Sequence, residues 1–248
     1  MKQLLFILLV IITINTFGQD TTLLSINKLE IQRVYFRIDT ALKDYSQGKN
    51  VYRLKLANTR LGYFPVEVCN IKTLQELQLP GYDFSEVPSD IKKLENLQSL
   101  YIVSKYFSEF PKGICELKNM KILELAGFGK NGIPECFANL RNIEQLTLRD
   151  FNFKEFPTVL TKLPNLRTLI LINCNIRSLP DELFLLPNLK YLDLSRNKIE
   201  ILPKSIQNAT KLEVINLSNN KLSSKFNRDY LTKNEIANLI NELNIKQK

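Results

Sequence analysis

Whatever chemistry this chain performs has to come from carboxylates, thiols and phenols, because none of its 248 residues is histidine. Histidine-based acid–base catalysis and histidine-ligated zinc are thereby excluded. No glycine-rich phosphate loop, G-x-S-x-G turn or calcium loop occurs either. Glu124, Asp150 and Asp193 stand where they can face one groove, but carboxylates scattered along a chain are ordinarily solvated charges. Tyr101, Val103, Ile122, Arg149, Ile170, Ile172 and Tyr191 have a different character. Tyrosine and arginine anchor protein interfaces, and exposed apolar side chains gathered in one place mark contact sites. The reading is therefore binding rather than catalysis, with no cofactor and no metal.

These residues are positioned by a strict period. Stepping by 23 residues from Val51 gives Leu74, Leu97, Met120, Ile143, Leu166, Leu189 and Leu212, every one apolar and without an insertion. The fourth position reads Leu54, Leu77, Leu100, Leu123, Leu146, Leu169, Leu192 and Ile215, and the sixth runs from Leu56 to Leu217 with equal consistency. Seven of the ten prolines share one column, from Pro65 to Pro203. Behind each proline the apolar residues recur every three positions, as in Leu183, Leu186 and Leu189, which predicts a 3₁₀-like or extended turn. One such unit cannot bury its own leucines, so eight must stack, with short parallel strands roughly 4.8 Å apart.

The stretch from Leu189 to Pro203, LKYLDLSRNKIEILP, follows L-x-x-L-x-L-x-x-N-x-L and closes in Leu-Pro. The chain thus resembles a bacterial exported leucine-rich repeat protein of the 23-residue type, over Val51 to Leu222. The resemblance implies an α/β repeat solenoid, curved and right-handed, with parallel strands on the concave face, 3₁₀ or extended turns on the convex face and a helical cap at each end. It also implies that repeat positions 3, 5 and 7 point out of the concave face, which is where the seven residues above fall. Two ligands suit them. A protein partner would use all seven; a glycan or cell-envelope polymer would use Tyr101 and Tyr191 as stacking platforms and Arg53, Lys55 and Arg149 as polar contacts. The family's asparagine column is kept only at Asn197 and Asn220. Cys174 stands in it in the sixth repeat, and Thr59, Tyr82, Lys105, Phe128 and Phe151 in the first five. That half should be less regular, above all in the fourth repeat, where Gly127, Gly129, Asn131 and Gly132 surround Lys130 at an apolar position.

The ends read differently. Residues 1–18 carry Lys2, an apolar run from Leu4 to Ile14 and Thr16-Phe17-Gly18 before Gln19, the features of a cleaved leader. An exported protein, periplasmic, at the cell surface or secreted, follows, with no membrane span after cleavage and a monomer expected. Residues 19–50 form an N-terminal cap with a helix from Asp39, as its N-cap, to a stop at Gly48; Val34 to Ile38 reads as a strand or a helix start. The repeats occupy 51–225. In 226–248, Thr232 and Glu235 form a capping box ahead of Ile236, Leu239, Ile240 and Leu243 at helical spacing. The net charge of +9 includes Lys72, Lys92, Lys93, Lys118, Arg141 and Lys162, spread over the outer turns of separate repeats. That pattern is a solvated face, so no nucleic acid is expected. Cys69 and Cys115 share a column two repeats apart, roughly 10 Å by strand spacing, too far to bridge. Cys115 and Cys136 lie in adjacent repeats two columns out of line, so their pairing stays open, and Cys174 reads as a buried free thiol.

Overall fold

The computed structural model describes residues 19–56, 62–82, 84–107, 109–128, 132–153, 155–223, 228–232, 234–238 and 241. The leader at 1–18, Thr59, the Gly129-Lys130-Asn131 segment, Phe226 and the apolar positions Leu239, Ile240 and Leu243 lie outside them.

Among the described residues, ten strands follow one another in a single open sheet, in chain order. They are β1 (Val34–Tyr35), β2 (Arg53–Lys55), β3 (Glu76–Tyr82), β4 (Ser99–Phe107), β5 (Ile122–Phe128), β6 (Gln145–Arg149), β7 (Thr168–Ile172), β8 (Tyr191–Asp193), β9 (Val214–Asn216) and β10 (Leu231–Thr232). From β2 to β9 the pairing is parallel at the 23-residue offset, so Leu54, Leu77, Leu100, Leu123, Leu146, Leu169, Leu192 and Ile215 form one row. Each return path contains a five-residue 3₁₀ segment that starts directly behind the column proline, as in Val66–Asn70 and Asp181–Leu185. Proline holds φ between −64° and −75° and its carbonyl accepts the first i+3 bond, from Val68 N–H to Pro65 O through to Ile206 N–H to Pro203 O. Three residues per turn brings side chains three apart onto one side. Ile91 with Leu94, and Ile114 with Leu117, accordingly point into a continuous apolar interior with no exposure.

The asparagine column works where it exists. Asn197 Oδ1 accepts from Cys174 N–H and Ile176 N–H, and its Nδ2 donates to Leu171 O, Leu194 O and Ser195 O. Cys174, fully buried, donates its thiol to Leu148 O and Ile172 O. In the earlier repeats the backbone meets the same need by pairing with itself. β3, β4 and β5 run on for seven, nine and seven residues, against three for β8 and β9, with register shifts after Leu79 and Val103. Phe151 fills its asparagine position with a ring that is 2% exposed. Position 8 is left-handed at Gly81, Gly127, Asp150, Asn173, Arg196 and Asn219. Glycine, asparagine and aspartate tolerate that region best. In the third repeat Ser104 occupies it, and β4 runs straight through. A second asparagine column, not singled out in the sequence, precedes the starts of the third to seventh repeats: Asn96, Asn119, Asn142, Asn165 and Asn188 each donate from Nδ2 to a carbonyl 24 residues earlier.

Both ends are closed, in ways the sequence only partly foretold. The α1 helix (Ile26–Glu30) is capped by Ser25, and the residues before it form a strap held by repeat glutamines: Gln75 bonds Thr22 O and Leu24 N–H, and Gln98 bonds Leu24 O. α2 (Ile38–Ser46) begins one residue before the expected Asp39 cap. Its N-cap is Arg37, which makes no side-chain capping bond, and the Asp39 carboxylate pairs instead with Arg37 and accepts from Thr40 N–H. The stop at Gly48 holds, with φ of 80°. Val34 and Tyr35 are strand, and the helix starts three residues later. Arg53 ties this cap to the repeats by donating to Glu30 O and to Glu76. At the other end β10 turns back antiparallel to β9, an addition the capping box did not announce. Glu235 accepts from both Thr232 N–H and Oγ1, and Leu231 and Ile236 enter the core. Cys115 and Cys136 do form a disulfide, with Cα atoms 5.7 Å apart. The 3₁₀ segments of neighbouring repeats are close enough to absorb the two-column offset. Cys69 and Cys174 are free and buried.

Two outcomes test this architecture. Leu148→Ala, at a position with no exposure, should lower unfolding free energy by about 2–5 kcal/mol in denaturant melts through lost burial and the cavity left behind; an unchanged midpoint would count against the register. Glu76 is buried, which pushes its pKa up, but the hydrogen bonds from Arg53 and Lys55 outweigh this and hold it below the usual range. A depressed folded pKa stabilises above the unfolded value of about 4.3 and is lost as pH falls through the folded one. Glu76→Gln should therefore lower thermal stability at neutral pH and flatten the acid limb of the Tm profile.

Candidate functional site

Strand alternation sends one side-chain set into the core and the other to the outer face of the sheet. β4 presents Tyr101 and Val103, β5 Ile122, β6 Arg149, β7 Ile170 and Ile172, and β8 Tyr191, so the seven residues share one face and all are partly buried. Three rows run across it. Ser99, Ile122, Gln145, Thr168 and Tyr191 form one; Tyr101, Glu124, Thr147, Ile170 and Asp193 the next; Val103, Ala126, Arg149 and Ile172 the third.

The seven do not make one patch. The outward residues of β6, Gln145, Thr147 and Arg149, are polar, and they separate Tyr101, Val103 and Ile122 from Ile170, Ile172 and Tyr191. Arg149 Nε donates to Glu124 Oε1 at 3.2 Å, so the guanidinium is engaged by the neighbouring strand. Burial raises the Tyr101 pKa, with the Glu124 charge adding and Arg149 opposing. At the far end burial, the Asp193 charge and a hydrogen bond with the Tyr230 hydroxyl push the Tyr191 phenol up to about 12. Tyr230 had no signal in the sequence, since it lies beyond the repeats, immediately before β10.

The three carboxylates that the sequence places toward one groove are apart in their chemistry. Glu124 pairs with Arg149. Asp150 sits exposed in the turn after β6 and accepts from Asn173 Nδ2. Asp193, 5% exposed, accepts from Ser195 N–H and Asn216 Nδ2. No acid–base pair results, and among the described residues no group of three or more cysteine, aspartate or glutamate side chains could hold a metal. Arg53 and Lys55 are engaged too: both pair with Glu76, and Arg53 is 8% exposed. That removes two of the polar contacts a glycan would have used. Burial pushes the thiols of Cys69 and Cys174 up to about 12, which leaves them unreactive. A cleft of about 420 Å³ opens beside Ile133, Phe153 and Phe156 on the turn side, away from this face.

Comparison with known proteins agrees with this architecture. The family described as leucine-rich repeat region matches residues 51–170, and two further leucine-rich repeat families match 164–222 and 211–241. No curated protein sequence matches the chain. Among solved structures, a leucine-rich repeat protein of Leptospira interrogans is 33% identical, over 71% of this chain and 44% of its own, with a TM-score of 0.65. This chain thus spans less than half of that protein's length. Internalin C2 of Listeria monocytogenes, 22% identical over 70% of this chain and 72% of its own, shares the fold at a TM-score of 0.54. The Arabidopsis receptor kinase HAESA, solved in complex with the peptide hormone IDA and the co-receptor SERK1, is 27% identical over 70% of this chain and 35% of its own, with a TM-score of 0.51. Period, register, 3₁₀ turns, asparagine bonding and these matches converge, and the chain is a leucine-rich repeat protein folded as an open α/β solenoid.

Proposed function

We propose that the protein is a non-enzymatic scaffold that holds a protein partner against the outer, concave face of β4 to β8, outside the cytoplasm. The observation that carries this is the pair of partly exposed apolar clusters on one rigid sheet face, with the Arg149–Glu124 pair between them. Apolar anchors ringed by polar groups are the usual anatomy of a protein interface. The peptide and co-receptor bound by HAESA support a protein ligand. The engagement of Arg53 and Lys55 with Glu76 argues against a glycan on the same face. Export is supported by the leader-like first eighteen residues and by the Cys115–Cys136 disulfide, since such bonds persist in oxidising compartments. No helix among the described residues is long and apolar enough to cross a membrane.

A capture experiment from envelope and secreted fractions tests the site, with a Tyr101→Ala, Ile170→Asp, Tyr191→Ala variant of unchanged melting beside the wild type. A protein retained only by the wild type is the expected result; the same set on both, or nothing on either, refutes the concave site. The compartment is tested by thiol alkylation of denatured protein from its native host. Two cysteines should react before reduction and four after it; four reactive thiols before reduction would show that the chain matures in a reducing compartment.

A further inference from the structure

One carboxylate on the concave face lacks what the others have. Glu76 is matched by Arg53 and Lys55, and Glu124 by Arg149. Asp193 is as deeply buried as Glu76, yet no lysine or arginine among the described residues forms an ion pair with it. Its two bonds come from neutral donors, Ser195 N–H and Asn216 Nδ2. A carboxylate offers about four lone-pair positions, and burying its charge without a cation is costly.

The surroundings are those that hold a cation. Tyr191 and Asp193 lie two apart on β8 and so share a face, and Tyr230 directly precedes β10, whose Leu231 pairs with Ile215, the neighbour of Asn216 opposite Asp193. Tyr230 is 57% exposed and held at φ of 42°, a conformation unfavourable for a bulky residue. Strain of this kind is kept where the surrounding structure imposes it, here by the cap strand β10 pairing with β9. Tyrosine faces attract guanidinium and ammonium groups, guanidinium more often, and a planar guanidinium can address a carboxylate through two donors. The face as a whole does not repel a positive group, because positions 3, 5 and 7 of the eight repeats carry three basic and three acidic residues.

We propose that Asp193, Tyr191 and Tyr230 form a receptor for an arginine side chain of the protein partner, placed over Asp193 and against the two tyrosine rings. This rests on the concave-face reading and adds a specificity element to it. The cap therefore contributes a contact residue, and the binding surface extends past the eighth repeat.

The test is an NMR titration of the purified protein, ring-labelled at tyrosine, with N-acetylarginine amide and with its uncharged isostere N-acetylcitrulline amide. Tyr191→Phe and Tyr230→Phe assign the signals. The expected result is saturable shifts at Tyr191 and Tyr230 with the arginine probe in the millimolar range, at least tenfold weaker with citrulline and abolished by Asp193→Asn. Equal response to both probes, no response, or an undiminished response in Asp193→Asn overturns the proposal. The comparison of the two probes on the wild type needs no variant, so a folding defect in Asp193→Asn cannot mask the answer. If the protein partner is lost with Ile170→Asp but kept with Asp193→Asn, the arginine receptor is refuted while the concave site stands.

Discussion

The parallel backbone ladder at a fixed 23-residue offset is the constraint on which every other feature depends. Each strand is too short to be stable alone, and each repeat exposes its leucines on both sides until a neighbour covers them. Pairing Leu54 to Leu77, and so on to Ile215, aligns the apolar columns only because no repeat gains or loses a residue. A slip of one position would turn the leucine rows outward. The column prolines serve the same end: in the first seven repeats they stop the chain at one place and start a 3₁₀ segment of constant length.

Within that frame the two halves solve one problem in two ways. A chain that leaves a strand and turns must find partners for its freed amides and carbonyls. The C-terminal repeats use Asn197 and Asn220, with Cys174 supplying a weaker thiol donor. The N-terminal repeats lengthen β3, β4 and β5 so that the ladder absorbs the same groups, at the cost of shifted register beyond the regular positions. The disulfide joins the third and fourth repeats on the turn side of this irregular half. The closed loop there is short, so its gain lies in holding two adjacent turns rather than in distant cross-linking.

On the outer face, electrostatic pairing decides which polar residues remain for a partner. Arg53, Lys55 and Arg149 look alike in the sequence as available cations, yet all three are engaged by carboxylates one strand away. What is left is two apolar clusters separated by a polar strand, and one buried aspartate on the same strand face as Tyr191. The polypeptide partner proposed for this face fits such a surface better than a polyanion would. The basic surplus belongs instead to the outer turns, where Lys92 and Lys118 lie among acidic neighbours such as Glu95 and Glu116.

The sequence by itself determined the solenoid, the strand face that each column occupies, the 3₁₀ turns and the burial of Cys174. All of these follow from a period, and a period is local information repeated. Only the tertiary structure decided what depends on neighbours of different repeats or on chain outside them. The Cys115–Cys136 bond hinged on how closely two turns stack, and the Arg149–Glu124 pair on which rotamers meet across strands. The start of α2 at Ile38 rather than Asp39 depended on a carboxylate preferring Arg37 to a capping bond. Tyr230 reached Tyr191 because β10 reverses against β9, and no pattern within a 23-residue repeat encodes a strand that comes after the last one.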